Sequence, residues 1–479
     1  MNEPPKNPSG KANGRARFLV AIAVVAGVAV LTTIVWFSVW RWRLGRSVDA
    51  KVAAIKAAGL PVDWQGLSKW PVSVPDNENA AYIYTNAIAH LNGTDFSPYA
   101  HDVSIRAISG IDDVLYFREP LPAAMRGQFE LALKTNAAAL DIINRVTNAS
   151  ESRYPINYLD GPSADLPHLS GLITLAQLLA CDAVLKLEAS NAPAASGDVL
   201  SQLNLSRSLD NEPVLISQLT SAGILSRSCR TLEQVLGRAP LSEERLSQLE
   251  SQFTAVEATN RFLTGLIGER AMYNEFLRLA QDDPKKMIEI ASEDSSGDDQ
   301  TELPRNPGAG WRFLGLFERD RDFYLGAMAT NISLIQQGPP ASFAMESEND
   351  RLGEEARNRL DMISALMLPT MSGIPRRDAS ERAELRDTIT AIAIERWRLR
   401  HQGSLPDSLS DLVPMFLPAI PADPYDGKPL RYKKLKNGYC IYSIGPNLRD
   451  DGGKARLKPS AKVPFEERNN YDIVFTVER

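Results

Sequence analysis

Acid–base, metal and nucleophilic chemistry all require particular side chains to converge, and this chain holds 59 acidic residues, 4 histidines and 3 cysteines. Spacing decides what they can do. His90, His101, His168 and His401 never fall at metal-ligand spacing, and Cys181, Cys229 and Cys440 lie far apart with no CxxC. A zinc site or thiol-redox pair therefore has no local basis. Each cysteine sits in an apolar stretch, where Cys behaves as a small hydrophobe; one long-range disulfide stays open. The carboxylate pairs Glu243/Glu244, Glu354/Glu355 and Glu466/Glu467 are chain neighbours. Helix neighbours point apart, so these read as solvated faces rather than acid/base couples. Arg396, Arg398 and Arg400 read as a solvated helix end that suits the helix dipole. The acidic run SEDSSGDDQTELPRNPGAG, about 292–310, lacks the spacing and closing Glu of an EF-hand and reads as a solvated loop. No GxSxG elbow, HExxH, Walker A loop or Rossmann GxGxxG occurs.

The elements that would have to position such groups are easier to read. At 479 residues the chain exceeds one ordinary domain, and a prior of roughly 150 residues per domain suggests two or three units. A hydrophobic content of 44% supports buried cores. A net charge of -6, with no basic patch interleaved with aromatics, argues against a nucleic-acid partner.

Phe18 to Trp40 is an uncharged run of 23 residues. As a helix it spans roughly 35 Å, enough for a hydrocarbon core of about 30 Å with some tilt. Trp36, Trp40 and Trp42 cluster at its end, where amphipathic rings favour the membrane interface. A cleaved signal peptide has a shorter apolar region and a small-residue cleavage site, whereas bulky Trp and Arg follow here. The expectation is a retained transmembrane helix with lipid as its partner. Lys6, Lys11, Arg15 and Arg17 before it nearly balance Arg41, Arg43 and Arg46 after it, so flanking charge barely orients it. The short Pro/Gly/Asn-rich tail favours a cytoplasmic N-terminus and an exported body.

Apolar residues at i, i+3 and i+4 spacing predict helices at 123–146, 166–189, 197–209, 213–236, 260–279, 318–336 and 346–366, with a further helix capped by Ser242. Asp76 or Asn77 is expected to cap a helix running to about Leu91. Trp64 and Trp70, in a Pro-punctuated segment, are expected to pack on the helical body. No fixed repeat period emerges. Asp378 is expected to cap a helix through Arg400 that ends at Gly403. PLRYKKL, GYCIYSI and YDIVFTV then alternate as short antiparallel strands, with Lys436-Asn437-Gly438 as a hairpin turn.

This last stretch resembles the C-terminal part of the major pseudopilins of type II secretion. The matching residues are the Trp-Arg-Leu helix end with Gly403, Leu405-Pro406, Leu417-Pro418 and the run Pro421-Ala422-Asp423-Pro424-Tyr425-Asp426-Gly427-Lys428-Pro429-Leu430-Arg431-Tyr432. Tyr442-Ser443-Ile444-Gly445-Pro446-Asn447, Gly452-Gly453 and Asp472-Ile473-Val474 complete the set. The resemblance covers about a fifth of the chain and implies a helix packed on a small antiparallel sheet. The family's processing signature is missing: Ala16-Arg17-Phe18-Leu19-Val20 lacks its Glu, which speaks against assembly into a pilus. The family binds calcium in the loop after this motif. The resemblance therefore implies a possible Ca²⁺ set of the Ile444 carbonyl, Asn447, Asp450, Asp451 and Asp472, against which stands a plain Asx/Gly turn needing no ion. The whole layout also resembles uncharacterised single-pass bacterial envelope proteins, which implies topology and no activity.

The expected fold is mainly α: a transmembrane helix at 18–40 after a disordered cytoplasmic tail at 1–17, a helical bundle or irregular α-solenoid at 47–370, and an α+β pseudopilin-like module at 378–479. The expected function is that of a non-enzymatic scaffold or interaction module of the inner membrane, with envelope proteins as partners. The alternative is a hydrolase-type enzyme whose site lies between helices of the body.

Overall fold

The computed structural model describes residues 9–70, 73–92, 111–117, 121–145, 152–283, 309–455 and 471–479, with backbone alone at 9–16, 113, 116, 117 and 309. Its first element is a single long helix, α1 (Ser9–Ala57). Residues 9–17, expected to be irregular tail, are helical: once the apolar run has nucleated a helix, each added residue gains a hydrogen bond at little further cost. Residues 17–36 are exposed on every side, and α1 is long and apolar enough to cross a membrane. From Phe37 onward one stripe is covered, at Phe37, Trp40, Arg41, Leu44, Gly45 and Val48. That is the i, i+3, i+4 spacing of one helix face.

The body begins with α2 (Trp64–Lys69), capped by Asp63, and α3 (Ala80–Ala89), capped by Asn79 rather than by Asp76 or Asn77. Trp64 packs as expected: its indole N–H donates to the Met272 carbonyl at 3.0 Å. Gly161, at φ +62, lies so close under the Trp64 ring that any Cβ would collide with it. After α4 (Ile111–Phe117), the expected helix at 123–146 divides into α5 (Ala123–Thr135) and α6 (Ala137–Ile143). The break falls at buried Asn136, whose amide donates back to Ala132 O and accepts from Asn92 N. A side chain competing for backbone groups in this way interrupts a helix. The helices α7 (His168–Glu188), α8 (Ala192–Arg207) and α9 (Leu215–Arg238) pack in succession on a Leu- and Ala-rich core. α10 (Glu243–Glu257) is capped by Ser242 as expected, and α11 (Arg261–Asp282) by Asn260.

Of the acidic run, residues 292–308 lie outside the described residues, as do Glu466 and Glu467; Ala309 and Gly310 already belong to α12 (Ala309–Leu314). α13 (Leu316–Gln337) then covers the lower stripe of α1. The expected helix at 346–366 breaks at Leu360, which sits at φ +60 between α14 (Ala344–Arg359) and α15 (Met362–Thr370).

α16 (Ile374–Arg400) starts before Asp378, so that residue is no cap; it lies buried inside the helix, paired with Arg382 at 2.8 Å. Strands β1 (Arg431–Leu435), β2 (Gly438–Ser443) and β3 (Ile473–Glu478) form an antiparallel sheet in the order β1-β2-β3. The sheet is not an appendage. Leu232, Leu249 and Phe253 of the body share one core with Ile392, Tyr439 and Phe475, and β3 packs on both α9 and α16. Every residue of β2 is buried. A three-stranded sheet needs both faces covered to bury such a strand, so the expected boundary near 370–378 is crossed by a continuous core.

Candidate functional site

The residues implied for calcium do come together, but the oxygens of Asn447, Asp450 and Asp472 accept from backbone N–H groups and that of Asp451 from the Asn447 side-chain amide. Asp472, almost wholly buried, accepts from the amides of Asp451 (3.2 Å), Gly453 (2.6 Å) and Lys454 (3.2 Å). Burial still holds its carboxyl above the usual range. Asn447 donates through Nδ2 to Asp451 Oδ2 (2.8 Å) and accepts from Arg449 N (3.0 Å). Asp450 accepts from Gly452 N (3.0 Å), and Ile444 turns its N–H to Asp423 (2.9 Å) while its side chain lies in the core. Among the described residues no three His, Cys, Asp or Glu side chains group as a metal site. As folded, this is a loop closed on its own amides, and calcium would have to displace them.

A second concentration of chemistry lies in the seam where α16 and the sheet meet the body. Arg261, 1% exposed, reaches Glu381 at 2.8 Å and donates to Ser221 Oγ at 2.6 Å. Burial raises the Glu381 carboxyl to about 7 despite the guanidinium beside it. Arg230 donates to Val474 O (3.0 Å) and Glu384 (3.2 Å), while Glu233 accepts from Thr476 N (2.7 Å). Asp423 is fully buried and accepts from Tyr425 N, Ser443 Oγ, Ile444 N and Arg431. Asp387 is the contrast. It is as buried, yet among the described residues neither oxygen has a hydrogen-bond partner, and burial together with the charge of Asp423 pushes its carboxyl far above the carboxylate range. The cleft it lines with Cys229, Arg230 and Glu384 holds about 10 Å³, room for about one water.

Against known proteins, the chain matches no family, no curated protein and no solved structure. The site must be read from its own geometry.

The three thiols are buried and no disulfide forms; burial raises those of Cys181 and Cys229 well above the usual range, which leaves them poor nucleophiles. His168 lies buried under the Tyr154 ring (4.1 Å, 14°) with Nε2 at 3.0 Å from Glu212. Ser217 donates to the same Glu212. Glu212 thus separates serine from histidine, and a Ser–His relay is not assembled. Arg396 is no solvated helix end: it binds Glu243 at 2.6 Å and also Glu250, tying α16 to α10.

The third concentration is the joint between α1 and the body. Arg41 pairs with Glu318 at 2.8 Å, and Ser47 and Lys51 both donate to Asp322 at 2.7 Å. Gly315, at φ +68, leaves the space that the Arg41 guanidinium fills; any side chain there would strike it. Phe37 stacks on Phe313 at 5.8 Å. Beneath this joint the corner between α14 and α15 is pinned by buried acids. Asp320 accepts from Ile363 N (2.8 Å) and Ser364 N (3.1 Å), and Asp361 pairs with Arg319 (2.8 Å) and Arg359 (2.9 Å). Sequence reasoning did not single out Arg261, Asp387, Asp320 or Phe313. A signal that was available is the aromatic Trp311-Arg312-Phe313-Leu314 run just after the acidic stretch.

Proposed function

We propose that this is a single-pass envelope protein of a bacterial inner membrane, its N-terminus cytoplasmic and its body outside. The body is a non-enzymatic scaffold that presents a fixed face to envelope partners. The observation that carries this reading is the joint: α1 is at once an exposed apolar span and a packed element of the body, so the body is held at a set angle to the anchor. A flexible tether would serve a soluble enzyme equally well; a rigid one suits a scaffold. The shifted acids support the same reading, since Glu381, Asp387 and Asp320 are buried and the cleft that Asp387 lines has room for about one water. The resemblance of 378–479 to pseudopilins supports a link to secretion-like machinery. The test has two arms. A reporter active only outside the cytoplasm, fused after Arg479, should give signal, and a silent but well-expressed fusion reverses the topology. Affinity capture of the full chain from envelope extracts should return a reproducible envelope protein, and its absence sinks the scaffold role.

A further inference from the structure

We propose that the exposed apolar face formed by α12 and the α14–α15 corner lies in the membrane itself, seated among lipid headgroups and upper acyl chains. This rests on reading α1 as the anchor and adds a second membrane contact to it. Six large apolar side chains on this face are exposed: Trp311, Phe313, Leu314, Leu360, Met362 and Leu366. Phe313 is the most open of them at 73%. Scattered exposed hydrophobes are ordinary, but a contiguous set marks a surface that meets something apolar. Contiguity holds here, since Trp311, Leu360 and Met362 line one cleft and Leu366 follows Met362 by one helical turn.

Position names the occupant. Phe313 stacks on Phe37, and Phe37 lies three residues before Trp40, the end of the apolar run. At about 1.5 Å per residue, Phe313 is therefore about 4.5 Å inside the span. An anchor that crosses a bilayer cannot keep Phe37 in lipid and leave the ring stacked upon it in bulk water. Trp311 joins Trp36 and Trp42 as a third exposed indole at this level, the residue type that favours the interface. The exposed Arg43 and Arg46 of α1 and Arg312 of α12 are cationic and suit anionic headgroups. Leu360 sharpens the case: it is 67% exposed and held at φ +60, where Gly or Asn would cost less. An apolar side chain kept at a strained, exposed corner points to an environment that rewards it.

The test uses the full chain in vesicles of phosphatidylethanolamine and phosphatidylglycerol carrying nitroxide-labelled lipid. Single fluorophores are attached at Phe313→Cys, Leu366→Cys, Val25→Cys within the span, and Met415→Cys, which lies beyond α16 beside its last residue, Arg400. Leu366 is two-thirds exposed, so its replacement leaves packing intact. Quenching at positions 313 and 366 is expected to be several-fold stronger than at 415 and of the order seen at 25. Quenching at 25 alone overturns the proposal and leaves the anchor standing. No quenching at 25 removes the anchor and the proposal together. A blue shift at 366 that depends on protein concentration and not on lipid would assign the face to a second copy and overturn the lipid reading.

Discussion

The seam and the apolar face beside α1 treat polarity in opposite ways. The seam buries Arg261, Glu381, Arg230, Asp387 and Asp423 among helices and strands, while the face beside α1 leaves Trp311, Phe313 and Leu366 uncovered. Each is costly in water unless something compensates. Asp387 apart, the compensation in the seam is internal, because charges and amides answer one another. At the face nothing within the described chain answers, so the compensation has to come from outside. The seam therefore bears on stability and the face on surroundings, and substitutions should separate the two.

The largest effect is expected from Arg261→Met. Removing one partner of a buried pair leaves Glu381 uncompensated and costs about 3–5 kcal/mol. Urea unfolding in detergent micelles should show it, and Arg261→Met with Glu381→Leu should recover most of the loss. A single substitution costing no more than a surface change would mean that the seam pair is not structural.

Asp472→Ala comes next. It strips the acceptor from three amides and should cost about 1–3 kcal/mol. Added Ca²⁺ should leave the melting temperature of the unaltered protein where it is. A calcium-dependent rise that Asp472→Ala abolishes would show that the loop exchanges its amides for an ion.

The pH dependence follows from the raised carboxyls. Burial lifts Glu381, Glu269 and Asp198 to about 7 and Asp320 to about 6. In the unfolded chain the same groups titrate near 4. Between those values the folded protein binds more protons than the unfolded chain, so stability falls as pH rises from about 4 through 7. Melting midpoints at pH 5.5 and pH 8 should differ in that sense, and Glu381→Gln should flatten part of the slope. A midpoint that rises with pH over this range would contradict the burial of these acids.

The smallest effect separates the two regions most cleanly. Leu360→Gly should relieve the positive φ and stabilise the protein in detergent by about 1 kcal/mol. In vesicles the same change should weaken lipid quenching at a Leu366→Cys probe. Stabilisation in both settings, with quenching unchanged, would make Leu360 a bystander.

How much of this was readable in the sequence varies with what holds each element. Helices with one wet face, such as α10 behind Ser242, follow from apolar spacing and a cap, because a single stripe defines them. The existence of α16 was legible but its burial was not: it is charged along its length yet buried on nearly all sides from Ala379 to Glu395, and Arg396, which reads as solvated, is paired with Glu243 and Glu250. The helix breaks at Asn136 and Leu360 depend on one buried amide and one left-handed residue, neither of which alters the apolar pattern. The loop residues Asn447, Asp450, Asp451 and Asp472 were identifiable by type, but which donors they would meet depended on the backbone path. Phe313 gained its significance only once Phe37 was found beside it.

The most direct measurement is labelling with a membrane-impermeant maleimide in intact cells with a permeabilised outer membrane. The native thiols are buried and contribute little background. Leu448→Cys, exposed on the body, should label in intact cells, and Asn2→Cys only after lysis. Labelling of Asn2→Cys in intact cells, with Leu448→Cys silent until lysis, would place the body in the cytoplasm and contradict the anchored, exported scaffold.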